Sequence, residues 1–577
     1  MPKPILYFTG EFMAGNILTP VSLWNGFKIE ENITAETVEV IACGDVTITC
    51  FYITGRTLTD GAVKIYCESA VKNELKLRSA LLVVPSVENG IDRELLVKLA
   101  EEGYQAISVD YSGEREDKTN FTVYPPSRAY ADYKNSKGKL YALTEDVDST
   151  CWYEWDCVMK YALSYVCSLK TVISVGALGI GLGSTILWHV CANESRLSAA
   201  AFVMDSGWHI YKGFHKFGKE VPEMFSDEKL KILAGIEAQA YSPYVKCHVL
   251  SVVPTNNADF DVDRAGDTMA RVGTGIYSAI DYSVNQVECV DKSAFEDVLV
   301  FFRTYLNDGK KGDKNLPLAP ELKCEIAEGK FLVTVKSEDK EEKTIRLYVA
   351  EQTVNPAERA WECADEKECS DSEAVLSYTS DIFSENLFYF VKTKYKQTGY
   401  TVSTGVFCKK NAKSEKSDSQ AAAQNRVIFS GRNKLTGTVF APLYKNVSRS
   451  LIDFNGDGEI SIKKGPMDID GIYCKNGLIT YKINNDKDKP KDDAILLCDV
   501  YVKEDRLAAF TLVSGEEEKT EYTAYVSLNG GNVWHNVKIP LSKFKSAEGR
   551  LLKGFESVTA LAVKIDGEYL INNLLWV

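Results

Sequence analysis

The first clear pattern along the chain is a period of two. Val38, Val40, Val46 and Ile48 alternate with polar neighbours and Val63–Cys67 repeats the rhythm, predicting antiparallel strands at a sheet edge. From Ala80 the alternation gives way to unbroken apolar runs. One run, 80–84, ends at Pro85; a second, 106–109, ends at Asp110; between them Arg93–Glu102 has helical period. This is a strand–helix–strand unit, because buried parallel strands need apolar residues on both faces. A helix is predicted over Trp152–Leu169, a strand over Thr171–Val175, then a Gly-rich turn and a helix around Thr185–Ala192. Strands at Ala199–Met204 and Cys247–Val253 and a helix over Ala294–Leu306 complete the series. The succession describes a mostly parallel sheet with helices on both faces and an antiparallel start.

Beyond residue 310 the helical signals stop. Phe331–Val335, Ile345–Val349, Leu387–Val391 and Tyr400–Thr404 read as short strands, predicting a β-sandwich over residues 311–408. Residues 409–426 carry lysine, serine and alanine without apolar periodicity and read as a linker. Strands return at 478–483, 494–502, 507–512, 523–528, 537–541 and 561–565, predicting a second all-β domain over residues 427–577. The chain is therefore multidomain, with residues 1–310 as the α/β part.

Composition changes this picture in three ways. The net charge of −14 opposes binding to nucleic acid or anionic lipid. Fifteen cysteines, scattered singly and without CxxC spacing, read as buried thiols in a reducing, cytoplasmic setting, with no metal site or cofactor indicated. The start of the chain has no apolar run of signal-peptide length, and no stretch reaches the roughly 20 apolar residues of a membrane span. The five histidines are His189, His209, His215, His248 and His535, which leaves a long gap after His248.

Between the strand near Val175 and the following helix lies Gly179-Ile180-Gly181-Leu182-Gly183. With the apolar run before Pro85, the Asp110-Tyr111-Ser112-Gly113 turn and Trp152-Tyr153-Glu154-Trp155, this stretch resembles the α/β-hydrolase superfamily, in its acetyl-esterase and dienelactone-hydrolase-like branches. The resemblance covers about residues 35–306. It implies an elbow of form G-x-S-x-G with the nucleophile at its centre, where this chain has Gly181. It places the acid on the loop Thr255–Asp259, where Asn257 fits best and Asp259 comes two residues late. The base should follow the last strand, but Tyr282–Glu288 holds no imidazole. Losing nucleophile and base together implies a degenerate triad, since such groups act as a unit.

Other chemistry stays open on the sequence alone. Ser184 is the nearest hydroxyl to the elbow centre but falls in the first helical turn; Asp205 and His209 could meet near a strand end. His189 and His248 sit in apolar surroundings and read as packed residues. Gly179, Gly181 and Ser184 followed by Asp205 also resemble a dinucleotide fingerprint, though the third glycine is missing. Asp453, Asn455, Asp457 and Gly458 resemble the start of a calcium loop, but Lys464 stands where a bidentate carboxylate is required, so a turn is the simpler reading. Val533–Phe544 with Leu561–Gly567 and Leu570–Trp576 resembles the galactose-binding-like jelly roll of carbohydrate-binding modules, whose sugars stack on aromatics; Tyr473, Tyr501, Trp534 and Asn572 are the candidates for that role. Three functions follow: an inactive hydrolase homologue that binds a small molecule, glycan or protein; an esterase or deacetylase on acylated sugars with relocated residues; or a structural assembly protein capable of self-association.

Overall fold

The computed structural model describes residues 17–29, 33–73, 77–115, 119–143, 145–220, 225–306, 316–379, 385–410, 427–431, 439–443, 449–515 and 518–577. Nine strands form the N-terminal sheet: β1 (Ala35–Cys43), β2 (Val46–Leu58), β3 (Gly61–Lys72), β4 (Arg78–Val84), β5 (Gln105–Val109), β6 (Val172–Ile180), β7 (Ala199–Val203), β8 (His248–Pro254) and β9 (Ser278–Ser283). Their order is β1-β2-β3-β5-β4-β6-β7-β8-β9. The pairs up to β3–β5 are antiparallel and those from β5–β4 to β8–β9 are parallel.

The unbroken apolar runs are explained by burial on both faces. In β4, Ala80, Leu82 and Val84 enter one core while Leu81 and Val83 enter the other; in β7, Ala200 and Phe202 part from Ala199, Ala201 and Val203 in the same way. On one face the helix Cys151–Ser168 packs, capped by the Thr150 side chain, and on the other the helices Arg93–Glu101 and Lys292–Tyr305. Among the described residues no helix is long and apolar enough to cross a membrane.

The sheet does not end at the boundary expected near residue 310. The next strands are β10 (Glu321–Ala327), β11 (Lys330–Lys336), β12 (Lys343–Glu351), β13 (Glu362–Cys369), β14 (Glu373–Thr379), β15 (Asn386–Tyr395), β16 (Thr401–Ser403) and β17 (Phe407–Lys410). Ser403 of β16 pairs with Ile280 of β9, so β16, β15, β12 and β13 continue the N-terminal sheet. A separate sheet of β10, β11 and β14 closes a small core of Phe331, Val333, Leu347, Leu376 and Val391. A buried network spans this seam: Lys392 pairs with Asp281 at 3.1 Å, and the Ser403 hydroxyl donates to the same carboxylate at 2.9 Å. The expected linker 409–426 lies outside the described residues, apart from Lys409 and Lys410, which close β17.

The C-terminal part is a two-sheet antiparallel sandwich. Its strands are β18 (Val427–Phe429), β19 (Ala441–Pro442), β20 (Ser461–Lys464), β21 (Asp470–Tyr473), β22 (Leu478–Thr480), β23 (Ile495–Val502), β24 (Arg506–Ser514), β25 (Thr520–Leu528), β26 (Trp534–Pro540), β27 (Val558–Ile565) and β28 (Tyr569–Trp576). One sheet runs β20-β21-β28-β23-β26 with β18 beside β28; the other runs β19-β22-β27-β24-β25. Phe429, Leu496, Val500, Phe510, Leu561 and Trp576 fill the space between them.

Candidate functional site

At the end of β6 the chain turns sharply into the helix Leu182–Asn193. Gly181 makes that turn with φ 55° and ψ −132°, and its N–H donates to Val203 O at 2.9 Å. This is a strained region that side chains avoid. A Cβ at Gly183 would lie 2.4 Å from Val84 O and 2.5 Å from Pro85 O, so the helix approaches β4 too closely for any side chain. The turn keeps the shape that exposes a nucleophile, while the residue at its apex offers no side chain to attack with.

The space above the apex is filled by the chain itself. A Cβ at Gly181 would lie 3.2 Å from the Ser86 hydroxyl and 3.4 Å from Leu451 Cδ1. Leu451 belongs to the C-terminal part and holds a left-handed φ of 58°. Its neighbours dock it firmly. Ile452 is fully buried in the N-terminal core and bridges Val290, with Val290 N–H donating to Leu451 O at 3.1 Å and Asp453 N–H to Val290 O at 3.0 Å. Asn89 donates to Arg449 O at 3.0 Å, and Phe454 rests edge-on against Phe295 with the Lys98 ammonium 4.8 Å from its ring.

The expected acid and base positions hold amides that serve the backbone. Asn257 accepts from the N–H groups of Asp259 and Phe260 at 2.7 and 3.1 Å and donates to Val287 O at 2.8 Å. Asp259 lies at the surface, paired with Lys212. After β9, Asn285 exchanges hydrogen bonds with the backbone of Trp361, and Gln286 donates to Gly458 O at 3.3 Å.

The N-terminal region is a mostly parallel sheet with helices on both faces and a sharp glycine turn after β6. No protein-family model and no curated protein matches the chain. Among solved structures it is similar to an acetyl xylan esterase from Paenibacillus sp. R4, with 15% identity over 50% of this chain and 92% of that one, at a TM-score of 0.37. It is also similar to Acetyl Xylan Esterase 1 from Thermoanaerobacterium sp. JW/SL YS485 (12% identity, 47% and 87% of the two chains, TM-score 0.34). A third is a putative dienelactone hydrolase from Klebsiella pneumoniae subsp. pneumoniae MGH 78578 (14% identity, 48% and 100% of the two chains, TM-score 0.30).

Of the titratable candidates, Asp205 and His209 do meet. His209 Nε2 lies 3.1 and 3.2 Å from the two Asp205 oxygens, which also receive the Thr185 hydroxyl and, at 2.8 Å, the Gly207 N–H. Tyr141 stacks on the imidazole at 4.8 Å. Burial disfavours charge on this ring, but the Asp205 carboxylate outweighs it and, with Glu237 and Asp259, holds the imidazole pKa up at about 9. Burial would likewise raise Asp205, and the imidazolium facing it holds it below the usual carboxylate range. The two form a closed ion pair at neutral pH. An imidazole already protonated cannot accept a nucleophile's proton.

The pair predicts a pH signature. Because the folded His209 pKa of about 9 exceeds the unfolded value near 6.5, its stabilisation is complete below about pH 6.5 and is lost as pH rises through 9. Asp205 contributes above its unfolded pKa and loses that contribution as acid protonates it. Melting temperatures between pH 6.5 and 10 should fall for the natural chain and fall less for His209→Gln; parallel profiles would contradict the ion pair.

The remaining sequence candidates serve the core or the surface. The Ser184 hydroxyl is buried and donates to Val203 O at 3.1 Å. His189 stacks on Tyr241 at 3.9 Å with Nε2 donating to Ile236 O at 2.6 Å, and burial pushes its pKa down to about 4. His248 Nδ1 accepts from Tyr277 N–H at 3.0 Å. In the loop that resembles a calcium site, Asp453 caps the N–H groups of Asp457 and Gly458 at 2.9 and 2.7 Å, and Asp457 pairs with Lys475. Among the described residues no group of three or more His, Cys, Asp or Glu is placed to hold a metal. On the C-terminal sandwich Tyr501 and Trp534 are neighbours at 6.1 Å, while Tyr473 packs against Tyr569 and carries the Lys463 ammonium 3.9 Å from its ring. Asn572 accepts from Gly431 and Asn573 N–H, which ties strands together.

Sequence reasoning missed Leu451, Tyr141 and Glu237. Leu451 lies in an irregular segment where no periodicity signals burial. Glu237, fully buried and accepting the N–H groups of His209 and Ile210, carries no sequence mark distinguishing it from a surface acid.

Proposed function

We propose that this chain is a non-catalytic α/β-hydrolase homologue that acts by binding, its N-terminal region serving as a scaffold for the β-rich parts. The observation that carries the reading is Gly181 at the elbow apex with Leu451 packed over it. Acyl transfer needs a nucleophile there, an unprotonated base beside it and room for an ester. The apex has no side chain, His209 is held protonated by Asp205, and the chain's own leucine packs over the apex. A cytoplasmic setting and a sugar-binding role for the C-terminal sandwich belong to the same reading.

A fluorophosphonate probe and a panel of acetyl and aryl esters test it. No label and no turnover above buffer are expected; stoichiometric labelling of any residue overturns the reading. Restoring the nucleophile alone should not restore activity. Gly181→Ser is expected to lower the melting temperature, because its Cβ crowds Ser86 and Leu451 at a φ of 55°, and to release no acyl product, there being no base to activate it. An ester burst from that variant would show that a working base is present.

A further inference from the structure

The segment that covers Gly181 also forms one wall of a cleft shared by all three parts of the chain. The cleft has a volume of about 570 Å³, within the range of small-molecule sites. Its inner surface is made of Val284, Asn285 and Gln286 after β9, Tyr348 from β12, and Phe440 and Asp453 from the C-terminal part. Asn285, Gln286 and Asp453 are buried, with amide or carboxylate oxygens among their polar atoms. Ile460 and Ile462 add apolar surface. Around the mouth stand Lys292, Ser293 and Glu296 at the start of the helix Lys292–Tyr305, with Lys394 and Glu459 facing them from the other two parts.

The chemistry of this lining is selective. Asp291, Glu296, Asp453 and Glu459 against Lys292 and Lys394 make an acidic site, which repels phosphates and carboxylates. Carboxylate and amide oxygens are acceptors and ask for a ligand rich in hydroxyl donors, while the two ammonium groups can donate to its oxygens. The apolar surface of Tyr348, Ile460 and Ile462 suits a C–H face. The exposed groups are also unspent: among the described residues Glu296, Glu459, Lys292 and Lys394 form no ion pair, and the Tyr348 hydroxyl makes no hydrogen bond. The walls, by contrast, are fixed. Asn285 is held by Trp361, Gln286 by Gly458, and Asp453 by two backbone N–H groups.

We propose that this three-part cleft binds a neutral, polyhydroxylated ring, a mono- or disaccharide, with Glu296 and Lys394 contacting its hydroxyls. The proposal rests on the binding reading above and names its site and ligand class. A ligand there bridges the N-terminal sheet, the middle sandwich and the C-terminal segment 453–462, so binding should also stabilise their association.

Isothermal titration of the full chain with glucose, galactose, mannose, lactose and maltose, each to about 50 mM so that millimolar affinity registers, is the test. At least one sugar is expected to saturate at one site per chain. Glu296→Gln and Lys394→Met, both surface changes, should each weaken it about tenfold, as loss of a charge-assisted hydrogen bond requires, with unchanged melting temperature. The proposal is overturned if no sugar saturates, if both variants bind as tightly as the natural chain, or if putrescine saturates the cleft and the sugars do not, since the site would then select cations. The fluorophosphonate result separates the two readings: sugar binding can fail while the unlabelled protein remains a non-catalytic homologue, and stoichiometric labelling overturns that reading whatever the sugars do.

Discussion

Replacing Arg359 with alanine should destabilise the protein by about 3–5 kcal/mol, the cost of leaving a buried charge without its partner. Arg359 comes from the middle sandwich and Asp263 from the N-terminal helix Val262–Met269, and both side chains are fully buried. Their fork is bidentate at 2.5 and 2.7 Å, the guanidinium lies 3.6 Å from the Phe388 ring centre, and its remaining donors reach Thr353 O and Val354 O at 3.1 and 3.0 Å. Alanine removes the guanidinium and strands the Asp263 carboxylate in a site closed to water. Urea unfolding followed by fluorescence and by far-ultraviolet dichroism measures the loss, in the first transition if the parts separate. Arg359→Lys should fall between, since a point charge cannot make the planar fork, and adding Asp263→Asn to Arg359→Met should recover much of the stability. A loss below about 1 kcal/mol for Arg359→Ala would mean that the pair behaves as a solvated one.

Gly183→Ala is expected to cost about 3 kcal/mol, the upper end for forcing atoms into a packed site. The added methyl would meet two backbone carbonyl oxygens, Val84 O and Pro85 O, at 2.4 and 2.5 Å, and neither can swing away as a side-chain tip could. Relief requires the helix Leu182–Asn193 to lift from β4, breaking contacts of the buried Ile186, Leu187 and Trp188. Thermal unfolding by calorimetry should show the drop, and a melting temperature within a degree of the natural chain would refute the close approach. The comparison with Gly181→Ser is informative, because there the neighbours are side chains that can shift and the main cost is backbone strain. Packing alone therefore requires glycine at position 183.

Much of this architecture is legible in the chain. The apolar runs at 80–84 and 106–109 predict strands buried on both faces, and β4 and β5 are so buried. The helix predicted over Trp152–Leu169 is found at Cys151–Ser168, and the one predicted over Ala294–Leu306 begins two residues earlier, where the Asp291 side chain caps Ala294 N–H. Glycines at 179, 181 and 183, and the absence of histidine between residues 249 and 534, are likewise readable, because steric limits and side-chain chemistry belong to single residues. The sequence leaves the meeting of Asp205 with His209 open, four residues apart near a strand end; the folded chain decides it.

Tertiary structure alone decides the rest. Tyr400–Thr404 reads correctly as a strand, yet nothing in its alternation says that Ser403 will pair with Ile280 and carry one sheet from the first part into the second. Alternation specifies which face of a strand is buried; edge pairing is made by backbone N–H and C=O groups, which are the same in every residue. Leu451 over Gly181, Arg359 on Asp263 and the cleft beneath Tyr348 each join residues far apart in sequence, on segments with no period to mark them. Such contacts depend on where whole sheets come to rest, and only the folded chain contains that information.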